Sequence, residues 1–408
     1  MFRSPTLLAL LVAEAVSTLG TAMTFVALPW FVLVTSGSAS RMSTVLAVEI
    51  APMALLGIPS GSVIARLGAR TSMLVSDAAR APLIALVPLL HWTGHLSYLL
   101  LLAIVFAMGV FTAPYIASQR TIVPALFDDD ERTVSKVSGL FGGATQLPTL
   151  FGPVLAGVLV ASFGPSSVLL VDGATYLFAF ACVLLLVRGG KPVLPDEQSR
   201  GVLAGIRYLA RDRLLGPVTL TLVLLDGAAG AIAVGVPLVA YSRYDQNPHV
   251  AGWLFGSFGI GAVIGSALVV KLLDRFDPLL LASTAILLAT APLWAIVGSI
   301  PWPAACAAIA VCGLFVPMVN APFMGIITTR PPVALRAKVM TAVFTASGLG
   351  SPFGRYAVGP VFARWGNAGV WVEIAGGLTL GSLLFIAVTV AAWRSKASES
   401  SSPVAQAS

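Results

Sequence analysis

The sequence predicts an all-α membrane protein of twelve transmembrane helices, built as two six-helix halves related by an internal repeat. Composition is the first of three supporting observations. Of the 408 residues, 57% are apolar and only 10% are charged, against roughly a quarter charged in a soluble domain. Mean hydropathy is +0.94. So few charges leave the surface of a water-soluble enzyme uncovered, so that class is excluded. Length is the second: twelve crossings of ~20 residues take ~240 residues, which this chain holds with short loops to spare. The third is a likeness between the two halves, set out below.

The spans run 6–34, 43–65, 71–90, 97–118, 138–161, 166–187, 214–241, 250–271, 278–298, 301–326, 339–362 and 369–393. The first imitates a cleavable leader through Arg3, Leu7 to Val12 and Ala13-Glu14-Ala15. Apolar sequence continues to Val34, however, and Glu14 at the cleavage point argues for a retained helix. Alternate loops then mark the remaining spans. Arg66 and Arg70 divide the second from the third, and Arg120, Arg132 and Lys136 divide the fourth from the fifth. Lys271 and Arg275 follow the eighth, Arg330, Arg336 and Lys338 follow the tenth, and Arg394 and Lys396 follow the twelfth. The intervening segments 91–97 and 299–303 carry no Lys or Arg. Of the 24 Lys and Arg, only Arg41, Arg243 and Arg364 fall on the opposite side, and Arg80 and Arg355 lie within spans. This bias places both termini in the cytoplasm, so the net charge of +7 reads as topology rather than as a nucleic-acid footprint. Trp30, Trp92, Trp302, Trp365 and Trp371 fall at the predicted outer ends, as an interfacial belt.

Four units follow: a six-helix bundle at 1–187, a cytoplasmic linker at 188–213, a second bundle at 214–393 and a disordered cytoplasmic tail at 394–408. Within the linker, Val202, Leu203, Ile206 and Leu209 recur at helical spacing, with Arg200, Arg207, Arg211 and Arg213 on other faces. That pattern suits an amphipathic helix on an anionic leaflet. The repeat is seen where FGPVLAGVLVASFG, starting at Phe151, aligns without gaps to FGRYAVGPVFARWG, starting at Phe353. A six-helix duplication returns the chain to the same side, so the halves are parallel and a site is expected between them near mid-membrane.

Cys182, Cys306 and Cys312 lie in apolar spans without CxxC or a Cys/His cluster, so no disulfide framework or metal site is expected. There is no GxxxxGK[ST] motor. The run Gly259 to Gly265 lies inside a span and reads as helix packing through small residues. No cofactor is implied. His91, His95 and His249 fall in outer loops without a nucleophile partner, so an enzyme is not expected. Asp128-Asp129-Asp130-Glu131 reads as a solvated loop.

Intramembrane charges are costly and functional by default. Glu14 lies ~16 Å past Arg3 at 1.5 Å per residue, and Ser17, Thr18 and Thr21 share its helix face. Asp226, at similar depth in the seventh span, corresponds to Thr18 with Pro29 and Pro237 as anchors. Two carboxyls facing across the pseudo-symmetry axis suit proton or cation handling. Arg355, where the first half has Pro153, needs a carboxylate partner, for which Asp226, Glu14 and Glu373 are the candidates. Asp77 and Arg80, spaced i, i+3, read as a local ion pair. Tyr115, Gln119, Gln146 and Asn320 are candidates to bond a polar substrate group. Glu49 and Asp172 lie nearer the outer side, where water reaches.

The loop GSVIARLGAR, Gly61 to Arg70, resembles the G-x-L-A-D-R-x-G-R-R signature of the major facilitator superfamily. Gly61, Arg66, Gly68 and Arg70 match, and Ala65 replaces the usual Asp. LFGPVLAG, Leu150 to Gly157, resembles the superfamily's antiporter motif through Gly152, Pro153 and Gly157, with Ala156 in place of one Gly. Ser17 to Gly20, Pro124 to Leu126 and Pro332 to Val339 point to the branch of drug:proton antiporters that holds macrolide efflux proteins and the enterobactin exporter. The resemblance implies a monomeric secondary transporter of a bacterial inner membrane. Its partners are then protons, the lipid bilayer and a hydrophobic or amphipathic small molecule, exported by alternating access. An importer or uniporter of a small nutrient is the alternative.

Overall fold

The computed structural model describes residues 5–126, 131–187, 202–212, 214–332 and 335–400. The acidic loop at 127–130, the linker segment 188–201 and the last residues 401–408 lie outside that range. Among the described residues every regular element is a helix: α1 Pro5–Ser36, α2 Ala39–Leu67, α3 Ala69–Trp92, α4 Tyr98–Leu126, α5 Glu131–Phe163, α6 Pro165–Leu186, α7 Val202–Arg211, α8 Leu215–Arg243, α9 Pro248–Leu273, α10 Pro278–Thr290, α11 Trp294–Val297, α12 Trp302–Thr329, α13 Arg336–Gly348 and α14 Gly350–Ser400.

Eleven stretches among these residues are long and apolar enough to cross a membrane. The last, Lys338–Ala391, has 54 residues, far more than the ~20 a crossing needs. It turns at Gly366, whose φ of 61° and ψ of −156° are not helical, so it supplies two crossings and the total is twelve. The ninth crossing is α10 joined to α11 through a 3-10 turn, Ala291–Leu293, where Pro292 removes a backbone donor. The final helix runs to Ser400, into the stretch the sequence assigned to a tail.

The two halves share one packing plan. α1 lies against α5 and α6, α2 against α4, and α3 against α4 and α6. In the second half α8 lies against α14, α9 against α12, and α10 against α12 and α14. The repeated sequence explains part of this. Gly152 on α5 meets Ala22 of α1, while Gly354 on α14 meets Gly227 of α8 with no room for a Cβ. Gly157 meets Gly252 and Pro248 of α9, and Gly359 meets Ser40 and Ser43 of α2. Matching glycines thus bring each half against the other through small residues, the means by which helices associate in lipid.

The named contacts between halves cluster at the end opposite the chain termini. Besides those of Gly157 and Gly359, Trp30 packs edge-on against Tyr241 at 5.7 Å and Phe25 against Phe255 at 5.0 Å. Toward the termini, a Cβ placed on Gly139, Gly142 or Gly143 of α5, Gly325 of α12 or Gly348 of α13 meets nothing within 4 Å. Helices that touch at one end therefore diverge toward the other.

Two sequence expectations change here. Trp92, Trp302 and Trp365 are exposed, but Trp30 and Trp371 are buried and take no part in a belt. Trp30 faces the opposite half, and Trp371 lies near Gly235 of α8. Helix α7 turns Gly205 and Leu209 inward, with Gly205 against the Lys338 carbonyl of α13, while Ile206 is exposed. Asp212, just beyond α7, accepts hydrogen bonds from the Leu214 and Leu215 amides at 2.9 and 2.8 Å and from Arg330 Nε at 2.9 Å, which ties α7, α8 and α12 together.

Candidate functional site

In the first half, α1, α3, α4 and α6 enclose a polar cluster in an otherwise apolar bundle. Glu14 is fully buried. The Tyr115 hydroxyl donates to its Oε1 at 3.1 Å, and Gln119 Nε2 donates to its Oε2 at 2.6 Å. Tyr115 and Gln119 are one turn apart on α4 and so reach the same carboxyl. Asp77 and Arg80 of α3 form an ion pair of 2.6 Å, both buried. The Arg80 guanidinium lies between two rings, 3.9 Å from the centroid of Tyr115 and 4.4 Å from that of Tyr176. Such desolvated cation–π contacts are worth ~2 kcal/mol or more. On α6, Asp172 is fully buried and accepts from Thr24 Oγ1 at 2.6 Å and Thr175 Oγ1 at 3.2 Å. Gly20 leaves the space that this carboxyl occupies.

The cluster thus sets Glu14, Asp77 and Asp172 against one cation, Arg80. In a low-dielectric interior three carboxylates balanced by a single guanidinium are strongly unfavourable, and neutralisation by proton binding relieves the excess.

A second group sits where the halves touch. Arg355 Nη1 on α14 is 3.9 Å from Glu49 Oε2 and 3.3 Å from the Leu46 carbonyl, both on α2 of the other half. Asp226 lies near Arg355 and the Ser351 backbone. Its Oδ2, like Glu373 Oε2, is buried without a hydrogen-bond partner among the described residues.

Sequence reasoning placed Glu14, Tyr115 and Gln119 among the binding candidates, and the structure joins them. It also pairs Asp77 with Arg80. Glu14 and Asp226, expected to face one another, belong to separate groups instead. The nearest carboxylate to Arg355 is Glu49, which was not among its three expected partners. Gln146 on α5 and Asn320 on α12 are exposed and join neither group. Asp172, Tyr176 and Thr24 were missed as members. The i, i+4 spacing of Asp172 and Tyr176 was the available signal. A surface groove of about 540 Å³ between Val160, Arg243, Gln246 and Trp302 contains none of these residues.

A sequence model of the Major Facilitator Superfamily matches residues 10–354 and 218–407. The chain belongs to the Major Facilitator Superfamily. The multidrug efflux pump Tap of Mycobacterium tuberculosis is 25% identical over 384 residues, covering 91% of this chain and 90% of that protein. The Tap pump of Mycolicibacterium fortuitum is 24% identical over 373 residues, covering 88% and 89%. Among solved structures, nucleoside transporter NupG aligns with a TM-score of 0.76 at 13% identity, over 94% of this chain and 99% of that one. A POT family transporter aligns at 0.75 and 11% identity, over 94% and 96%. These structures share the fold.

This member of the Major Facilitator Superfamily is therefore a multi-pass membrane transporter with multidrug efflux pumps among its relatives. Its signature loop is partly accounted for. Gly68, with φ of 80°, makes the turn from α2 to α3, and Gly61 lies in α2. Arg66 is exposed. Arg70 donates to the carbonyls of Val187, Leu184 and Val183 at 2.6, 2.9 and 3.3 Å. It thereby satisfies the last carbonyls of α6, which have no intrahelical partner. Gly152, Pro153 and Gly157 put α5 in contact with α1 and α9; the Pro153 carbonyl faces Gly252.

Proposed function

We propose that this transporter exports hydrophobic or amphipathic small molecules (drug, macrolide or siderophore-like) across a bacterial inner membrane, driven by protons and operating by alternating access. The observation that carries this reading is the sealed cluster in which three carboxyls share one arginine. Such a cluster takes up and releases protons as its surroundings open and close. Positive-inside loops put both termini in the cytoplasm, so the divergent end faces the cytoplasm and the touching end faces outward. In that orientation a cargo from the cytoplasm or inner leaflet enters between α5, α12 and α13. Glu14 is the principal proton carrier, and Tyr115 and Gln119 hold its carboxylate when the proton has left. Asp226 and Arg355 respond where the halves meet, and cargo and proton compete across the two groups. The protein works as a monomer, each chain holding a complete pair of halves. Similarity to the Tap pumps supports export over nutrient uptake.

The test is accumulation of a panel of dyes and antibiotics in cells, with and without an uncoupler. Export predicts lower accumulation in expressing cells, abolished by the uncoupler, and loss of the effect in Glu14→Gln. Raised accumulation of any solute favours import. Uncoupler-insensitive export, or full activity in Glu14→Gln plus Asp226→Asn, removes the proton role.

A further inference from the structure

The carboxyl cluster has a direction along the bundle axis. Glu14 and Thr24 are ten residues apart on α1, ~15 Å at 1.5 Å per residue, and Thr24 holds Asp172 at 2.6 Å. The Asp172 carboxyl also lies against Gly20, six residues or ~9 Å past Glu14, so the two buried acids sit at different depths, ~9–15 Å apart along the axis. Hydroxyl groups occupy the interval. Tyr176, one turn from Asp172, has its hydroxyl beside the same carboxyl. The Tyr176 hydroxyl is 2.9 Å from Thr21 Oγ1. Ser17, one turn further along α1, has its Oγ 3.5 Å from the Tyr115 hydroxyl, which donates to Glu14.

We infer that Asp172 is a second proton-binding site, and that the hydroxyls of Tyr176, Thr21, Ser17 and Tyr115 pass protons between it and Glu14. The route runs along the first half, and Thr21 is its exposed member, one turn from Phe25, which meets Phe255 of the other half. The inference rests on the proton-coupled reading above and deepens it by naming the path.

The proton count balances. A proton leaves the Asp172 carboxyl, each hydroxyl gives one proton forward and accepts one from behind, and one arrives on Glu14. O–H bonds broken and formed are equal in number. The string has a gap between Thr21 and Ser17. Thr21 Oγ1 donates to the Ser17 carbonyl at 3.0 Å and not to the Ser17 hydroxyl. Rotation of these two side chains, or one bridging water, completes it, which makes this step the point of control. Charged and polar groups face the string from α3 and α4. Arg80 and Asp77 of α3 lie beside it, and Arg80 acts on both Glu14 and Asp172. α4 contributes Tyr115 and Gln119. α5, which also packs on α1 and α6, has no acid or base from Gly139 to Phe163. Arg80 stays a cation beside the string, so the interval tolerates a moving proton poorly unless an acid at one end is ionised. That makes transfer conditional on the state of both carboxyls.

The test uses the full-length protein in phosphatidylethanolamine and phosphatidylglycerol vesicles enclosing a pH-sensitive dye, with ethidium as the probe. Wild-type protein should show ethidium-driven proton movement; its absence overturns the proton-coupled reading, and the path falls with it. Given wild-type movement, Thr21→Val, Tyr176→Phe and Asp172→Asn should each slow proton flux at least tenfold. Ethidium affinity, read by fluorescence, should change less than twofold. Thr21→Ser, which keeps the hydroxyl, should stay within twofold of wild type. Wild-type flux in both Thr21→Val and Tyr176→Phe overturns the path and leaves the proton-coupled reading standing. Should Asp172→Asn fail to fold, the contrast between Thr21→Val and Thr21→Ser still decides. Infrared difference spectra on acidification should lose one carboxylic-acid band in Asp172→Asn and a different one in Glu14→Gln. An unchanged spectrum in Asp172→Asn overturns Asp172 as a proton site.

Discussion

Arg80 shows how one residue organises a membrane interior. Its guanidinium is 2% exposed, faces two tyrosine rings and has one ion-pair partner, Asp77. A buried pair adds little against an apolar replacement, but removing one partner leaves a bare charge. Asp77→Asn should therefore lower stability by about 3–5 kcal/mol, read as a fall in melting temperature of the detergent-solubilised protein. Asp77→Asn combined with Arg80→Met should recover most of that loss. A double variant no better than the single would show that Arg80 contributes more to the bundle than its pairing. Depth along a helix was legible in the sequence, and so Glu14, Asp77 and Arg80 were found from spacing alone. The rotation of each helix was not. These helices are apolar all round, so no hydrophobic face announces which side turns inward. That is why Asp172 went unassigned and why Gln146 and Asn320 were expected at the site.

At the scale of elements, the short helix α7 is held by Asp212. Partial burial works to raise its carboxyl, but hydrogen bonds from the Leu215 amide, Arg330 and the Leu214 amide outweigh it and hold the group below its ordinary value. A lowered carboxyl stabilises the fold fully above its unfolded value of about 4, and that contribution is lost as pH falls through the lower folded value. Because Arg330 is half-exposed, most of the effect comes from capping α8. Asp212→Ala should cost about 1 kcal/mol at pH 7. Melting curves of the two proteins should converge in acid below about pH 4, and a gap persisting there would count against the capping account. The helices themselves were legible because ~20 apolar residues between alternately basic loops admit one reading. The errors came at helix ends. Trp30 and Trp371 look interfacial by position, yet each lies on an inward face, and the last helix continues past its apolar run to Ser400.

Among the described residues the halves are joined by contacts at one end, and the Glu49–Arg355 pair is the charged one among them. Residues about 300 apart in sequence cannot be matched by spacing, so the sequence offered Arg355 three partners and not this one. At 3.9 Å the pair is worth about 1 kcal/mol, enough to shift a two-state population about fivefold. Glu49→Gln should raise the fraction separated at that end. Spin labels at positions 41 and 364, in a background with Cys182, Cys306 and Cys312 replaced, would show it as added long distances; an unchanged distribution would mean the pair does not hold the halves.

Where α5 crosses α9, the Gly157 and Gly252 backbones touch with no side chain between them. Such a crossing has nothing left to compress, so it acts as a fulcrum. Swinging the splayed rim inward must lever the opposite rim apart by a proportion fixed at this point. A bulkier residue there would move the pivot, change the stroke at both rims together, and alter how large a passenger the machine can admit.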